Sequence, residues 1–98
     1  MTITDKQKRH LKGLAHHLKP VVIVGQHGLS ASVLSEIDGA LEAHELIKVR
    51  VNAGDRDERK AMIDTICTES ESELVQAIGH IAAFYRRHPK KPKIALPY

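Results

Sequence analysis

The chain has 98 residues, a length that suits one domain with a thin hydrophobic core. Hydrophobic residues make up 42% and charged residues 28%, which is typical of a globular protein and too apolar for a disordered chain. One cysteine excludes an internal disulfide, and three aromatic residues without tryptophan leave little material for a stack of rings. We therefore expect a single domain over residues 1–98, without room for a deep, enclosed active site.

The sequence shows no sign of a membrane span or of export. It contains no apolar run of about 18 residues and no basic-then-apolar leader that ends in small residues. Its lone cysteine is typical of a reducing compartment. The sequence thus predicts a cytoplasmic protein that does not insert into membranes.

The formal net charge of +3 is distributed in alternating blocks. Residues 1–28 carry +4, residues 48–60 carry +2 and residues 80–98 carry +5, whereas residues 29–47 and 61–79 carry −4 each. A fold that gathers the basic blocks would present a positive face to polyanions and a negative face elsewhere.

The first part of the chain predicts a helix followed by a strand. Thr4 and Gln7 have the spacing of a capping box, and Pro20 is expected to end the helix. An apolar stripe at helical spacing comprises Leu11, Leu14, Ala15 and Leu18. The β-branched run Val21–Val24 is typical of a strand covered on both faces, so we expect it at the centre of the sheet.

A glycine loop, Gly25-Gln26-His27-Gly28, then joins this strand to a second helix that Ser30 caps and that extends to about Ala43. Residues 46–52 alternate apolar and polar side chains, the pattern of a strand with one buried face and one basic, solvated face. Asp55, followed by Glu58, marks the start of a third helix that ends near residue 69. Strand, helix, strand and helix in succession predict adjacent parallel strands.

Residues 73–87 are ambiguous from their pattern alone. An apolar stripe slightly favours a helix, yet Gly79-His80 could turn a hairpin between residues 74–78 and 81–86. The tail, residues 87–98, is basic and interrupted by prolines, and residues 94–96 are expected to dock as a short last strand.

The glycine loop is the most informative local feature. Two glycines that flank two residues, after a strand and before a helix, let the backbone approach a sugar-phosphate chain closely. RNA-binding KH domains clamp nucleotide backbone with such a GxxG loop, although a plain turn explains the string as well. A nucleotide-hydrolysing P-loop is excluded because the GK[ST] ending is absent.

No group of residues suggests catalysis or a metal site. The seven histidines lack the spacing of a metal-ligand motif, and Cys67 lies on the apolar stripe of the third helix, where core packing is expected. We predict no catalytic residues, no metal, no cofactor and no small-molecule substrate.

Several ordered blocks resemble the YhbY family, single-domain bacterial proteins of the CRM (chloroplast RNA splicing and ribosome maturation) class. The blocks are Lys12-Gly13-Leu14-Ala15-His16, Leu18-Lys19-Pro20-Val21-Val22, Gly25-x-x-Gly28-Leu29-Ser30, Ala40-Leu41-Glu42, His44-Glu45-Leu46-Ile47-Lys48-Val49, Val75-Gln76-x-Ile78-Gly79, Tyr85-Arg86 and Lys93-Ile94-x-Leu96-Pro97. They cover nearly the whole chain.

The resemblance implies an α/β fold, a two-layer sandwich in which an N-terminal helix precedes a β-α-β-α-β-β succession. The helices pack on a mixed four-stranded sheet, as in the C-terminal domain of translation initiation factor three. It assigns residues 73–87 to a hairpin, against the slight preference of their pattern. It also implies a non-catalytic RNA-binding protein that associates with rRNA in precursors of the large ribosomal subunit and acts in ribosome assembly.

The resemblance maps the family's GxxG loop onto Gly25, Gln26, His27 and Gly28. The other residues expected to contact RNA are basic ones on the first helix and the second strand, namely Lys8, Arg9, Lys12, Lys19, Lys48 and Arg50. Gln26 and His27 are uncharged side chains at neutral pH, so the surrounding lysines and arginines would supply most of the phosphate attraction. With so few aromatic residues, contacts to the RNA backbone are expected to dominate over base identity. We expect the protein to act as a monomer.

The acidic blocks motivate a different hypothesis, in which the protein docks other proteins of the translation or assembly machinery. Its candidate residues are Glu36, Asp38, Glu42, Glu45 and the segment 69–73. A third hypothesis, an enzyme that acts on RNA, finds no acid-base or metal-binding set in the sequence.

Overall fold

The computed structural model describes residues 3–98, so residues 1 and 2 of the predicted domain lie outside it. It contains three helices and four strands in the predicted succession: α1 (Asp5–Ala15), β1 (Pro20–Val24), α2 (Ala31–His44), β2 (Leu46–Val51), α3 (Arg56–Ser70), β3 (Glu73–Ile78) and β4 (Ile81–Tyr85). The strands form one sheet in the order β1-β2-β4-β3, in which β1 and β2 are parallel and the other pairs antiparallel. The predicted fold class, an α/β sandwich with a mixed four-stranded sheet, is confirmed.

Each helix begins at the cap that the sequence predicts. The side chains of Thr4, Ser30 and Asp55 accept hydrogen bonds from backbone N–H groups three residues later, at 3.1, 3.1 and 2.9 Å. Thr4 and Asp55 form complete capping boxes, in which the side chains of Gln7 and Glu58 accept from the cap residue's own N–H. Since these bonds satisfy donors that the first helical turn leaves free, they fix where the helices start.

The main hydrophobic core lies between the sheet and the pair α2 and α3. Alternate residues of the strands point into it and meet the buried faces of the two helices. Its buried members are Val22, Val24, Ile37, Leu41, Ile47, Val49, Val51, Ile63, Ile66, Ala82 and Phe84.

Helix α1 packs on the opposite face of the sheet and covers only part of it. Leu11 and Ala15 are buried there, whereas Leu14 and Leu18 of the predicted stripe are 39% and 38% exposed. The helix ends at Ala15 with His16 as its C-cap, five residues before the proline that was expected to end it. Leu11 and Ala15 belong to a second, smaller core, which also contains Ile3, Leu46, Val75, Ala83 and Tyr85. Beyond the end of α1, this face of the sheet is left open.

The expectation that β1 is a central strand covered on both faces is wrong. β1 is an edge strand, and its residues alternate between buried and exposed. Val22 and Val24 face the main core, while Val21 and Ile23 are 52% and 60% exposed on the open side. The β-branched run predicts a strand correctly, but its composition does not reveal that α1 ends too early to cover it.

Residues 73–87 form a hairpin, as the resemblance implies, and the slight preference of the pattern for a helix is wrong. Strands β3 and β4 pair up to Ile78 and Ile81, and Gly79 turns the chain with a φ of 58°. The turn also contacts the end of β2, because the N–H of Val51 donates to the carbonyl of His80 at 2.7 Å.

The tail is held by a buried carboxylate rather than by strand pairing. Glu45 is fully buried, and its carboxylate accepts backbone hydrogen bonds from His88, Lys93 and Ile94 at 2.8, 2.5 and 2.7 Å. Ile94 packs on the smaller core beneath α1, but residues 94–96 form no strand, which corrects the predicted docking as a last strand. Glu45 thus fixes the first part of the basic tail, while Leu96 also packs on the smaller core and the side chain of Gln7 donates to the carbonyl of Pro97 at 3.0 Å.

Candidate nucleic-acid interface

The glycine loop is an exposed turn at the carboxyl end of β1. The N–H of Gly28 donates to the carbonyl of Gly25 at 3.0 Å, and Gly28 adopts a φ of 72°. This φ lies in the left-handed region, which glycine adopts at no steric cost. Gln26 and His27, at the tip of the turn, are exposed. The backbone of the loop is therefore accessible to a ligand.

Parallel pairing places the loop beside the end of β2. Val24 pairs with Val51, and the N–H of Asn52 donates to the carbonyl of Val24 at 2.9 Å. Arg50 pairs with Ile23, only two residues before the loop, a separation of about 7 Å along the strand. Its guanidinium donates to the side-chain oxygen of Asn52 at 3.0 Å, which orients it towards this end of the sheet.

Lys48 and the end of α1 lie on the same face of the sheet as Arg50. Lys48 and His16 line one small cleft, so the C-terminal end of the helix meets the middle of β2. Lys19 immediately precedes Pro20, which pairs with Lys48. Lys12 lies in the last turn of α1. Lys48 therefore shares a face of β2 with Arg50, while Lys19 precedes the start of β1 and Lys12 lies at the adjacent end of α1.

The remaining predicted residues lie farther from the loop. Lys8 and Arg9 are one to two turns back along α1, and Lys8 lies about 12 Å along the helix from His16. Lys48 lies about 13 Å from the level of Gly25, which is four residues along β2. The predicted residues thus extend from the glycine loop across β2 to α1, and we call this set the basic face. Arg9, two residues before the buried Leu11, lies on the side of α1 away from the sheet.

The basic face is not neutralised by neighbouring carboxylates. Every ion pair found among residues 3–98 involves Arg86 or His88, and neither belongs to this face. Lysine and arginine side chains that lack an acidic partner keep their full attraction for phosphate groups.

Sequence reasoning missed three further cations at the start of α3, namely Arg56, Arg59 and Lys60. A Cβ added to Gly28 would lie 3.8 Å from the end of the Met62 side chain, so the glycine loop adjoins this helix. The proximity of these residues to the glycine loop could have been predicted, because loops that follow neighbouring parallel strands emerge at the same edge of a sheet. The cap at Asp55 and the basic block 48–60 together place these residues there.

The acidic segments of the rival hypothesis come together only in part. An open cleft of about 640 Å³ is bordered by the acidic residues Asp38, Glu42, Glu69, Glu71 and Glu73, and Arg87 also lines it. Arg86 lies in that cleft and contacts Asp38 at 2.6 Å and Glu42 at 3.4 Å, which offsets part of the negative charge. Glu45 does not contribute, since it is buried under the tail.

Cys67 packs partly against the main core, as predicted. Burial raises the pKa of its thiol, and the negative charge of Asp64 adds to the effect, so the protonated form dominates at neutral pH. Burial likewise raises the pKa of Tyr85, with a smaller contribution from Glu45.

Within residues 3–98, no three histidine, cysteine or acidic side chains are grouped to hold a metal ion. None of the described helices has the length and apolarity to cross a membrane.

The fold and this surface define a small α/β domain with a glycine loop at one end of a basic face. The family model of the CRS1 / YhbY (CRM) domain matches residues 3–86. The chain therefore belongs to the CRS1 / YhbY (CRM) domain family, which confirms the resemblance found in the sequence.

Relatives from several bacteria align over nearly their whole length. A protein of Haemophilus influenzae named as an RNA-binding protein is 50% identical over 96 residues, which cover 98% of this chain and 96% of the relative. A probable RNA-binding protein of Pseudomonas aeruginosa is 48% identical over 93 residues, covering 95% of this chain and 89% of the relative. The solution structure of a hypothetical Staphylococcus aureus protein, described as a candidate RNA-binding protein, shares the fold with a TM-score of 0.84. It is 38% identical, and the match covers 98% of this chain and all of that one.

Proposed function

We propose that this protein binds RNA without acting on it chemically, by gripping the sugar-phosphate backbone between the glycine loop and the basic face. The RNA is rRNA in precursors of the large ribosomal subunit, where the protein acts in ribosome assembly as a cytoplasmic monomer. The names of the relatives from Haemophilus and Pseudomonas support RNA as the ligand. Ribosomal RNA as the particular target follows from the family resemblance in the sequence.

One observation carries the proposal: Arg50 and Lys48 lie on the open face of β2, next to the strand that leads into the glycine loop. Phosphates that follow this face would meet a series of unpaired cations and then a bare backbone turn. The N-terminus of α2 follows the loop, and its first-turn N–H groups add a partial positive charge.

The salt dependence of binding tests this mechanism. If about five phosphates are neutralised, the logarithm of the affinity should fall with the logarithm of salt concentration at a slope of roughly −3.5 to −4.5. Fluorescence anisotropy with a labelled rRNA fragment, measured from low to physiological salt, gives the slope directly. An affinity that does not change with salt would exclude phosphate contacts as its source.

Substituting each loop glycine by alanine separates an effect on RNA binding from an effect on the stability of the fold. A methyl group at Gly25 meets no atom within 4 Å, so Gly25→Ala should leave unfolding unchanged while weakening RNA binding about tenfold by blocking close approach. Gly28→Ala should also cost about 1 kcal/mol of unfolding free energy, because its φ of 72° is unfavourable for alanine. Urea unfolding and RNA titration of both variants check this. Full RNA affinity in a folded Gly25→Ala protein would argue against backbone contact at the loop.

Docking of a basic protein segment is the second candidate function, favoured by the open acidic cleft that Asp38, Glu42 and residues 69–73 border. It predicts that the purified protein co-sediments with assembly particles but retains no structured rRNA fragment at low salt. Retention of rRNA under those conditions would favour RNA binding instead.

A further inference from the structure

The part of the sheet that α1 leaves uncovered is a flat surface of mixed aliphatic and basic side chains. Strand register places one row across all four strands, formed by Ile23, Arg50, Ile81 and Ile78. The neighbouring row, at the border of α1, is formed by Pro20, Lys48, Ala83 and Gln76, of which Ala83 is buried as part of the smaller core. We call these two rows the open sheet face. Ile23 and Ile78, at the two ends of the first row, are 60% and 66% exposed, and Arg50 and Ile81 lie between them, so the row is one mixed surface across the sheet.

A small cleft lies on this face where α1 ends. It has a volume of about 270 Å³ and is lined by His16, Lys48, Gln76, Ile78, Ile81 and Ala83. Because the side chain of Ala83 is short, the surface of the sheet is recessed at this point, and His16 forms one wall of the cleft. The volume lies just below the range of about 300 to 1,000 Å³ that is usual for small-molecule sites, so the cleft suits one small planar group.

The chemistry of the face matches a nucleotide better than an apolar protein surface. The isoleucines of its first row can contact the flat side of a base, and the guanidinium of Arg50 provides a plane on which a base can stack. Lys48 and Arg50 can meet the adjoining phosphates, and no carboxylate is among the six residues that line the cleft. Gln76 and His16 offer hydrogen-bonding groups for the edge of a base.

Such a surface distinguishes unpaired from paired RNA. In an A-form duplex the bases are stacked inside and their flat sides are inaccessible, whereas nucleotides in loops and single strands can be splayed onto a protein. Phosphate contacts along the basic face serve both forms of RNA equally.

We propose that the open sheet face binds the bases of unpaired RNA nucleotides, one of them in the cleft, while the phosphates contact Lys48 and Arg50. The proposal rests on the RNA-binding function above and specifies its substrate as RNA with single-stranded segments. The aliphatic contacts read the flat side of a base, so they add affinity with little preference for base identity.

The test compares a 12-nucleotide oligouridine with a 16-base-pair RNA duplex as ligands of the full chain. The double variant Ile23→Ser/Ile78→Ser removes aliphatic surface and no charge. It should weaken oligouridine binding about tenfold, while duplex affinity and the salt slope stay unchanged. Tyr98→Ser is the matched control, since it removes an exposed ring at the end of the tail and should change neither affinity.

A second variant allows the test to be made even if the double variant does not fold. Gln76→Ala lies on the wall of the cleft, and it should also weaken oligouridine binding while sparing the duplex. Thermal unfolding of both variants establishes that they are folded, as expected from the exposure of Ile23 and Ile78.

The outcomes separate this inference from the proposed function. If the unmodified protein binds neither RNA, the proposed function fails. If it binds RNA but folded variants lose affinity for both ligands equally, or for neither, only the open sheet face proposal is overturned. A concentration-dependent dimer that the double variant abolishes, without an effect on oligouridine, would assign the face to a second copy of the chain and likewise overturn it.

Discussion

Reversing the charge of both basic residues on β2, in a Lys48→Glu/Arg50→Glu variant, is expected to weaken RNA binding about 100-fold at ~0.1 M salt. Each residue is proposed to make one charge-assisted contact to phosphate, a contact worth about 1.5 kcal/mol or more, and about 1.4 kcal/mol corresponds to tenfold in affinity. The salt slope should also become less steep by about 2, since each lost phosphate contact removes about one unit. Anisotropy titrations at several salt concentrations measure both effects.

The matched control is Lys90→Glu/Lys91→Glu, which changes the net charge by the same amount at a different place. These lysines belong to the tail, where their backbone N–H groups donate to the ring Nδ1 of His88. The tail leaves β4 at Tyr85, the end of the sheet opposite to the hairpin turn and the glycine loop. Equal losses in both variants would mean that overall charge, rather than the basic face, governs binding.

The helices were predictable because the information that specifies them is local. Thr4, Ser30 and Asp55 each satisfy N–H groups only three residues away, so their role is visible in a short window of sequence. The alternation in β2 was equally clear, since one side of that strand faces the main core along its whole length.

The sheet position of β1 and the hairpin at 73–85 were not predictable from local pattern. Whether Val21 and Ile23 are covered depends on where α1 ends over the sheet, which is a contact between distant segments. In β3 a register irregularity between Leu74 and Gln76 interrupts the alternation, so the apolar residues no longer recur with the period of a regular strand. The resemblance to a family supplied the hairpin, which the periodicity could not, but it did not supply the edge position of β1.

The candidate site likewise combines features that the local sequence predicts with features that depend on contacts between distant segments. The glycine loop and the basic face of β2 could be predicted, and parallel pairing explains why they adjoin. The cleft beside Ala83 could not, because it exists only where a helix end, a small residue and the hairpin meet. Glu45 was assigned to an acidic surface, yet it is buried, since its role depends on backbone groups more than 40 residues away.

Removing the buried carboxylate in Glu45→Ala is expected to lower the free energy of unfolding by about 3 to 5 kcal/mol. Three backbone N–H groups, of His88, Lys93 and Ile94, would lose their acceptor, and each unsatisfied buried donor costs about 1 to 3 kcal/mol unless water replaces it. The tail would also lose its hold on the core beneath α1. Because a small domain is stable by only about 5 to 15 kcal/mol, this is a large fraction of the total.

Glu71→Ala is a close control, because Glu71 is also a glutamate with a positive φ, at 53°, but its side chain is exposed. We expect it to change the unfolding free energy by less than about 0.5 kcal/mol, as is usual for surface substitutions. Glu45→Gln should fall between the two, since an amide keeps one acceptor oxygen but presents its NH₂ to an N–H donor. Urea unfolding ranks the three variants, and hydrogen exchange at His88, Lys93 and Ile94 reports the tail directly. Retained protection of these amides in Glu45→Ala would show that the tail is held by its apolar contacts, with Ile94 rather than the carboxylate as the anchor.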